Sequence, residues 1–355
     1  MQNWKELIFS EDIAFEDKAS KVFEYQYKNN IMYKRYCNAL HSVIGNTYSK
    51  LEAKETALSP SKIGDKLMGL AREDVDNIPL FPIQGFKDAE LTCRTDTEPE
   101  LVFKSSGTTS MARSTHLVAD AGIYRESLIR GFNHFYGSDS TTILAYTPGY
   151  SENPDSSLIW MLQELITKSD STVSRFLPLN EPLKQNDIDD IASEGSRIIL
   201  FGAAFGLVDL VESSDVVLPG NSLVIETGGM KTHKREMSRN EMHKNLAKGF
   251  GTAEDRIHSE YGMAELLSQA YARGGKWFHT VPWMKVTVRD ADDPRQKMPP
   301  YQEGLIGVID LANVHSCSFL LTGDKGIMDN GGRFQVLGRW NQKDLRGCNF
   351  LIDED

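Results

Sequence analysis

From about residue 100, short apolar runs of strand length alternate with amphipathic stretches of helical period, and from about residue 277 only strand-like runs remain. This change of period constrains the fold more than any other feature. Alternating strands and helices build a mostly parallel sheet covered by helices, and a strand-only tail has to pack as a second, smaller sheet. The strand-like runs are LVFKSS (101–106), STHLVAD (114–120) and TTILAYTP (141–148), followed by 173–177, 197–202 and 222–227. SLIWMLQELITK (157–168) reads as a helix, and Asp120 is placed to cap another carrying Ile123, Ile129, Phe132 and Phe135. Ser238 and Glu241 form a capping box that opens a helix to about Lys248. The tail contains WFHTVPWMKVTVRD, GLIGVIDLA, SFLLTGD and RFQVLGRW.

The first ~75 residues are poor in Gly and Pro and read as helical, with Phe15, Val22, Phe23, Tyr25, Tyr27 and Tyr33 set among charges. A proline-punctuated link, IPLFPIQGFKD (78–88), joins them to the rest. The expected organisation is a helical N-terminal region (1–80) packed on an α/β body (81–355) with a β-rich subdomain from about residue 277. No internal repeat or low-complexity linker interrupts it.

Charge and composition narrow the function. A net charge of −11 argues against general nucleic-acid binding, which needs a basic surface. No run approaches the roughly 18 to 20 apolar residues of a membrane helix, and the N-terminus lacks the basic-then-apolar layout of a signal peptide, so a cytoplasmic protein without a membrane span is expected. Cys37, Cys93, Cys317 and Cys348 show no metal-binding or redox spacing. A basic patch, Lys231, His233, Lys234, Arg235 and Arg239, stands out against the acidic background and could meet an anion, although a solvated loop and helix start is its plainer reading.

Four short segments carry chemistry. SSGTTSMAR (105–113) lies between two strand-like runs. Its small residues let backbone N–H groups approach phosphate oxygens, its hydroxyls at Ser105, Ser106, Thr108 and Thr109 add donors around Gly107, and Arg113 adds a cation. It is not a Walker loop, and alone it reads equally as a hairpin turn. HSEYGMAEL (258–266) follows a helix and is expected to open another; Glu265 could hold Mg²⁺ beside phosphates or merely cap that helix. LLTGDKG (320–326) is expected to end a strand, placing Asp324 to accept from ribose hydroxyls, although a plain Gly-Asp turn has the same sequence. VLGRW (336–340) supplies Arg339.

Taken in this order, SSGTTS…R, YGMAE, TGD and GR resemble the signature segments of the adenylate-forming superfamily of acyl-CoA synthetases and luciferases. The resemblance covers roughly residues 100–350. Within that superfamily the chain is most similar to the acyl-protein synthetases of bacterial luminescence, through its length, ETGGMK (226–231) and the ending RGCNFLIDED. The resemblance implies the layered large-domain fold of that superfamily, with ATP and Mg²⁺ as cofactors. It implies that residues 105–113 wrap the β- and γ-phosphates and that Gly228, Gly229 and Met230 border the adenine. Tyr261 and Gly262 would flank nucleotide and acyl group, Glu265 would bind Mg²⁺, and Asp324 would hold the ribose with Arg339 beside it.

Two departures from the superfamily pattern matter. Ala264 stands where most members carry Thr or Ser, and one lost hydrogen bond to a charged group costs about 1.5 to 3 kcal/mol. The sequence also ends about 16 residues after Arg339, so the small mobile domain with its catalytic Lys is not expected here. In the acyl-protein synthetases a cysteine near the C-terminus takes the acyl group as a thioester, and Cys348 matches it. Lys343 and Arg346 beside it would favour the thiolate, whereas a buried apolar Cys348 in the last strand is the plainer alternative.

The implied reaction is attack of a carboxylate, fatty or aryl, on the α-phosphorus of ATP, followed by transfer of the acyl group from the adenylate to a thiol. An acyl-acceptor or reductase protein would be the partner. Two other outcomes fit the same residues: an adenylating subunit that hands the acyl group to CoA or a carrier protein, and a non-catalytic nucleotide-binding module. Phe201, Phe205, Leu266 and Leu267 are candidates for lining an acyl pocket, although a place in the core is the plainer reading of each.

Overall fold

The computed structural model describes residues 2–49, 60–105, 113–148, 153–228 and 237–340. The chain begins with helices α1 (Trp4–Phe9), α2 (Phe15–Asn29), α3 (Ile31–Ser49) and α4 (Pro60–Glu73). In α2 the buried residues Ala19, Val22, Phe23, Gln26 and Tyr27 repeat at i, i+3, i+4, i+7 and i+8, one apolar stripe broken by a single amide.

The body continues with β1 (Phe81–Pro82), α5 (Gly85–Asp88), β2 (Leu101–Lys104), β3 (Thr115–Val118), α6 (Ala121–Tyr136) and β4 (Thr141–Tyr146). Next come α7 (Ser157–Lys168), β5 (Arg175–Phe176), α8 (Gln185–Ser193), β6 (Arg197–Ala203), α9 (Ala204–Ser213), β7 (Leu223–Thr227) and α10 (Arg239–Gly249). The last elements are β8 (Ile257–Tyr261), β9 (Ala270–Arg273), β10 (Met284–Arg289), β11 (Gly304–Asp310), β12 (Phe319–Met328) and β13 (Phe334–Arg339). The caps expected from sequence are made: Asp120 Oδ1 accepts from Ile123 N at 3.0 Å, and Ser238 Oγ from Glu241 N at 3.2 Å.

The strands form a sheet in the order β5-β4-β6-β7-β8-β9, parallel except for the antiparallel edge strand β9. Its central strands are buried on both faces, as helix-covered parallel strands are. In β6, Ile199 and Phe201 face a core shared with α6, α7 and the N-terminal helices, while Ile198 and Leu200 face a second core under α8, α9 and α10. A smaller sheet runs β1-β12-β11-β10 with β13 on β12, and β2 and β3 make a separate hairpin.

The N-terminal helices are tied to the smaller sheet by apolar and polar contacts. Tyr33 stacks on Phe319 with ring centroids 5.9 Å apart, and Phe23 meets the same ring edge-on. Gln26, fully buried, donates to the carbonyls of Asn313 and Val314 and to Ser318 Oγ, and accepts from Ser318 N. This explains the amide in an apolar stripe: it satisfies backbone groups where the chain leaves β11.

Two sequence expectations are corrected, and one open alternative is decided. Residues 258–266 do not open a helix. β8 ends at Tyr261, and the chain crosses an irregular segment before β9 because buried partners, not a helical ladder, satisfy its backbone: Asp310 Oδ2 accepts from Leu267 N at 2.8 Å. The Gly-Asp pair at 323–324 does not end its strand. β12 runs on to Met328 across a bulge at Lys325/Gly326, because β13 pairs with this half of it. Phe201, Leu266 and Leu267 are buried core residues, fixed by packing with the large sheet and the smaller one.

Candidate active site

The site gathers where the carboxyl ends of β7 and β8 meet the β2–β3 hairpin and the β12–β13 pair. Ends of parallel strands suit this purpose because backbone pairing stops there and loops diverge, leaving a crevice. Thr227, the last residue of β7, is followed by Gly228 at φ +82°, a left-handed conformation that suits glycine. On β8, Tyr261 is followed by Gly262, where a Cβ would lie 2.3 Å from Glu260 Oε1, so a larger residue there would displace the Glu260 carboxylate from its place.

Asp324 and Arg339 are directly paired across β12 and β13. Tyr261 Oη donates to Asp324 Oδ2 at 2.9 Å, and Arg339 Nε lies 3.1 Å from Asp324 Oδ1. Both carboxylate oxygens are thereby held, and the carboxylate is 7% exposed while Arg339 stands largely in solvent. Burial, and then the charge of Asp324, push the Tyr261 phenol well above its ordinary range, so it stays a donor.

Glu265 is buried beside the hairpin. Its carboxyl is hydrogen-bonded by the Ser114 side chain, and burial raises its pKa, with Arg339 opposing and Asp324 adding to that rise. The β12–β13 pair therefore brings its two charges within reach of Glu265, and the hairpin side brings a hydroxyl. A buried carboxylate held by one hydroxyl and its own backbone N–H is a hard oxygen donor with lone pairs to spare, the environment Mg²⁺ accepts when phosphates and water complete its shell. Among the described residues no cluster of three or more His, Cys, Asp or Glu could hold a metal without such help.

At the hairpin neck, Ser105 N donates to Ser114 O at 3.1 Å and Ser114 N to Ser105 Oγ at 3.0 Å. Arg113 Nε donates to Ser105 O at 2.6 Å, so this guanidinium fastens the neck of the loop. Ser106, Gly107, Thr108, Thr109, Gly229, Met230 and Cys348 lie outside the described residues, as do Lys231, His233, Lys234 and Arg235 of the basic patch. Arg239 of that patch lies 3.5 Å from Glu226 Oε1 and over the Phe278 ring.

Several buried polar residues were not singled out in the sequence. Glu260, paired in register with Thr227, accepts a hydrogen bond from Thr227 Oγ1. Burial raises its pKa to about 7, against the hydrogen bond from Thr227 and with the repulsion of Glu226 adding. Beneath it, His243 Nε2 approaches both Ser259 Oγ at 3.2 Å and Glu226 Oε1 at 3.5 Å. Because both contacts use the same nitrogen, this is a packing network and not a Ser-His-Glu relay. Glu260, adjacent to Tyr261, lay within the segment 258–266 expected to open a helix, where it carried no signal of its own. Nothing local marked His243 or Ser259.

Burial also pushes up the thiols of Cys37, Cys93 and Cys317, the last to about 12, which leaves all three protonated and poorly nucleophilic. Among the described residues, no helix is long and apolar enough to cross a membrane.

Comparison with known proteins matches this architecture. The chain is 24% identical over 359 residues to the long-chain-fatty-acid–luciferin-component ligase of Vibrio harveyi, covering 94% of this chain and 85% of that protein. Its fold superposes on 2-hydroxyisobutyryl-CoA ligase, solved with its acyl-adenylate and CoA, with a TM-score of 0.59 at 12% identity over 92% of this chain and 68% of that one. It also aligns with ATP-bound MatB from Rhodopseudomonas palustris at a TM-score of 0.48 and 15% identity, covering 67% of this chain and about half, 47%, of that one. The family model described as acyl-protein synthetase, LuxE, matches residues 164–355, more than half of the sequence. The chain therefore belongs to the acyl-protein synthetase family, LuxE, and is a ligase on the adenylate-forming fold.

Proposed function

We propose that this chain uses ATP to convert a carboxylic acid, a fatty acid first among them, into an acyl-adenylate and passes the acyl group to the thiol of Cys348. The observation that carries the first step is the convergence of two preorganised carboxylates, Asp324 held by Tyr261 and Arg339, and Glu265 held at the hairpin neck. One accepts from sugar hydroxyls and the other receives a hard cation. That division of labour requires a nucleotide with its phosphates turned toward the loop at 105–113.

In this reading Asp324 accepts from the ribose hydroxyls, with Tyr261 fixing its rotamer. Gly228, Gly229 and Met230 border the adenine. Ser105, Ser106, Gly107, Thr108 and Thr109 present donors to the β- and γ-phosphates, and Arg113 ties the loop to its neck and adds positive charge. Glu265 is the residue that would hold Mg²⁺, which when bound would supply positive charge against the phosphate oxygens. The protein's contribution is largely positional: it holds the acid's carboxylate in line with the α-phosphorus and keeps water out.

The carboxylate oxygen forms the new bond to the α-phosphorus while the bond to pyrophosphate breaks. The Cys348 thiolate then attacks the acyl carbon and AMP departs with the carbon–oxygen bond electrons. The raised thiol pKa values of Cys37, Cys93 and Cys317 support Cys348 as the acceptor, since a buried neutral thiol is a poor nucleophile. A thioester on the chain calls for a second protein to consume it, such as a reductase or an acyl acceptor. The relative from Vibrio harveyi supports a long-chain acid through its printed name.

The test is acid-dependent ATP–pyrophosphate exchange across fatty, aryl and short-chain acids, with Glu265→Gln and Asp324→Ala beside the parent chain. Exchange with long-chain acids, lost in Glu265→Gln, is expected. Full exchange in both variants would remove the site assignment. Radiolabelled acid with ATP should label the chain covalently, and labelling that survives Cys348→Ser would place the thioester elsewhere.

A further inference from the structure

Glu265 sits in a segment with neither helix nor strand, between Gly262 and β9, so its position is set by whatever holds that backbone. Two consecutive carbonyls there are held by side chains from distant parts of the chain. His116 on β3 contacts Ala264 O through Nδ1 at 2.7 Å, and Asn313, in the turn after β11, donates Nδ2 to Glu265 O at 2.8 Å. A carbonyl only accepts, so His116 Nδ1 carries the proton.

Both side chains are fully buried, and each leaves its other polar atom, His116 Nε2 and Asn313 Oδ1, without a hydrogen-bond partner among the described residues. Both also line the same small cavity, with His315 and Ser316. Burying a polar atom unpaired is unfavourable, and an apolar residue of similar shape would avoid it. Packing alone therefore does not account for either residue; the donor each aims at the 264–265 backbone does. Asn313 is itself anchored, since its carbonyl accepts from Gln26 of α2 at 2.9 Å. The clamp thus links hairpin, N-terminal helices and smaller sheet to one carboxylate.

We propose that His116 and Asn313 are positioning residues that aim the Glu265 carboxylate at the divalent cation of the nucleotide; this rests on the reading of Glu265 as the metal-binding residue. Neither touches substrate. Removing either donor frees a carbonyl beside Glu265 and lets the loop turn, which weakens metal binding without removing the metal's own donor.

The experiment is a titration of Mn²⁺ onto the full chain with ATP, reading free Mn²⁺ by electron paramagnetic resonance, alongside thermal melts. His116→Leu and Asn313→Leu should stay folded, melting somewhat below the parent because each strands one carbonyl, and should bind Mn²⁺ on the order of tenfold more weakly, the usual consequence of losing a residue that orients a metal ligand. Parent-like Mn²⁺ affinity in both, with Glu265→Gln clearly weakened, would overturn the clamp and leave the Glu265 reading intact. Parent-like affinity in Glu265→Gln would instead remove that reading, and the clamp with it. Should the leucine variants fail to fold, His116→Asn and His116→Gln decide. Asn places its N–H close to the Nδ1 position and should keep affinity, whereas Gln should lose it. Parent-like affinity in both would sink the proposal.

Discussion

Replacing Glu260 by Gln should make the protein more stable at neutral pH and leave it unchanged at acid pH. Glu260 lies on β8 inside the large sheet, accepts one hydrogen bond from Thr227, and has Glu226 as its neighbouring charge on β7. Burial carries its pKa from 4.5 to about 7. Between those values the folded chain keeps a proton that the unfolded chain has released, so folding takes up a proton and stability falls as pH rises. The contribution is fully present below pH 4.5 and is lost as pH climbs through 7. At about 1.4 kcal/mol per pH unit the displacement amounts to roughly 3 kcal/mol. Gln is neutral throughout, and its carbonyl can still accept from Thr227. Urea unfolding followed by tryptophan fluorescence at pH 5, 6, 7 and 8 measures the difference. The variant should exceed the parent by less than about 1 kcal/mol at pH 5 and by about 3 kcal/mol at pH 8. A difference that does not change with pH would mean Glu260 ionises in the folded chain as in water, and the burial argument would be wrong.

Asp324→Ala should raise the Kd for ATP at least tenfold, from loss of hydrogen bonds to a charged group worth about 1.5 to 3 kcal/mol, and should erase discrimination against 2′- and 3′-deoxy-ATP. Isothermal titration with the three nucleotides checks this, and retained discrimination would contradict the ribose assignment. Phe201→Ala should lower stability by about 3 to 5 kcal/mol as a cavity in a fully buried site. It should also leave the chain-length profile of exchange where it was, because Phe201 is core; a shifted profile would restore it to the acyl pocket. Gln26→Leu should destabilise by more than about 3 kcal/mol, since it strands several buried groups at Asn313, Val314 and Ser318. A near-neutral melt would show that α2 docks by its aromatic contacts alone.

The elements that sequence made legible share a property: their signal is local. The caps at Asp120 and Ser238, the strand at 197–202 and the helix at 157–168 depend on neighbours within a few residues, and all appear near the expected bounds. The expected helix after Tyr261 does not form, because its backbone partners, His116, Asp310 and Asn313, are about 45 to 150 residues away. The strand thought to end at Asp324 continues because β13 arrives to pair with it. Leu266 and Leu267 read as core before pocket, and packing places them in the core.

The candidate site divides the same way. Sequence by itself determined the residue types, their order and the glycines at 228 and 262, because close backbone approach and left-handed turns are written in single residues. Tertiary structure alone decided that Tyr261 meets Asp324, that Arg113 fastens its own loop, that Glu260 shares a proton-holding pocket with Thr227, and that His116 and Asn313 grip the loop of Glu265. Hydrogen bonds and burial depend on distances between segments far apart in the chain, and no local pattern of residues encodes those distances.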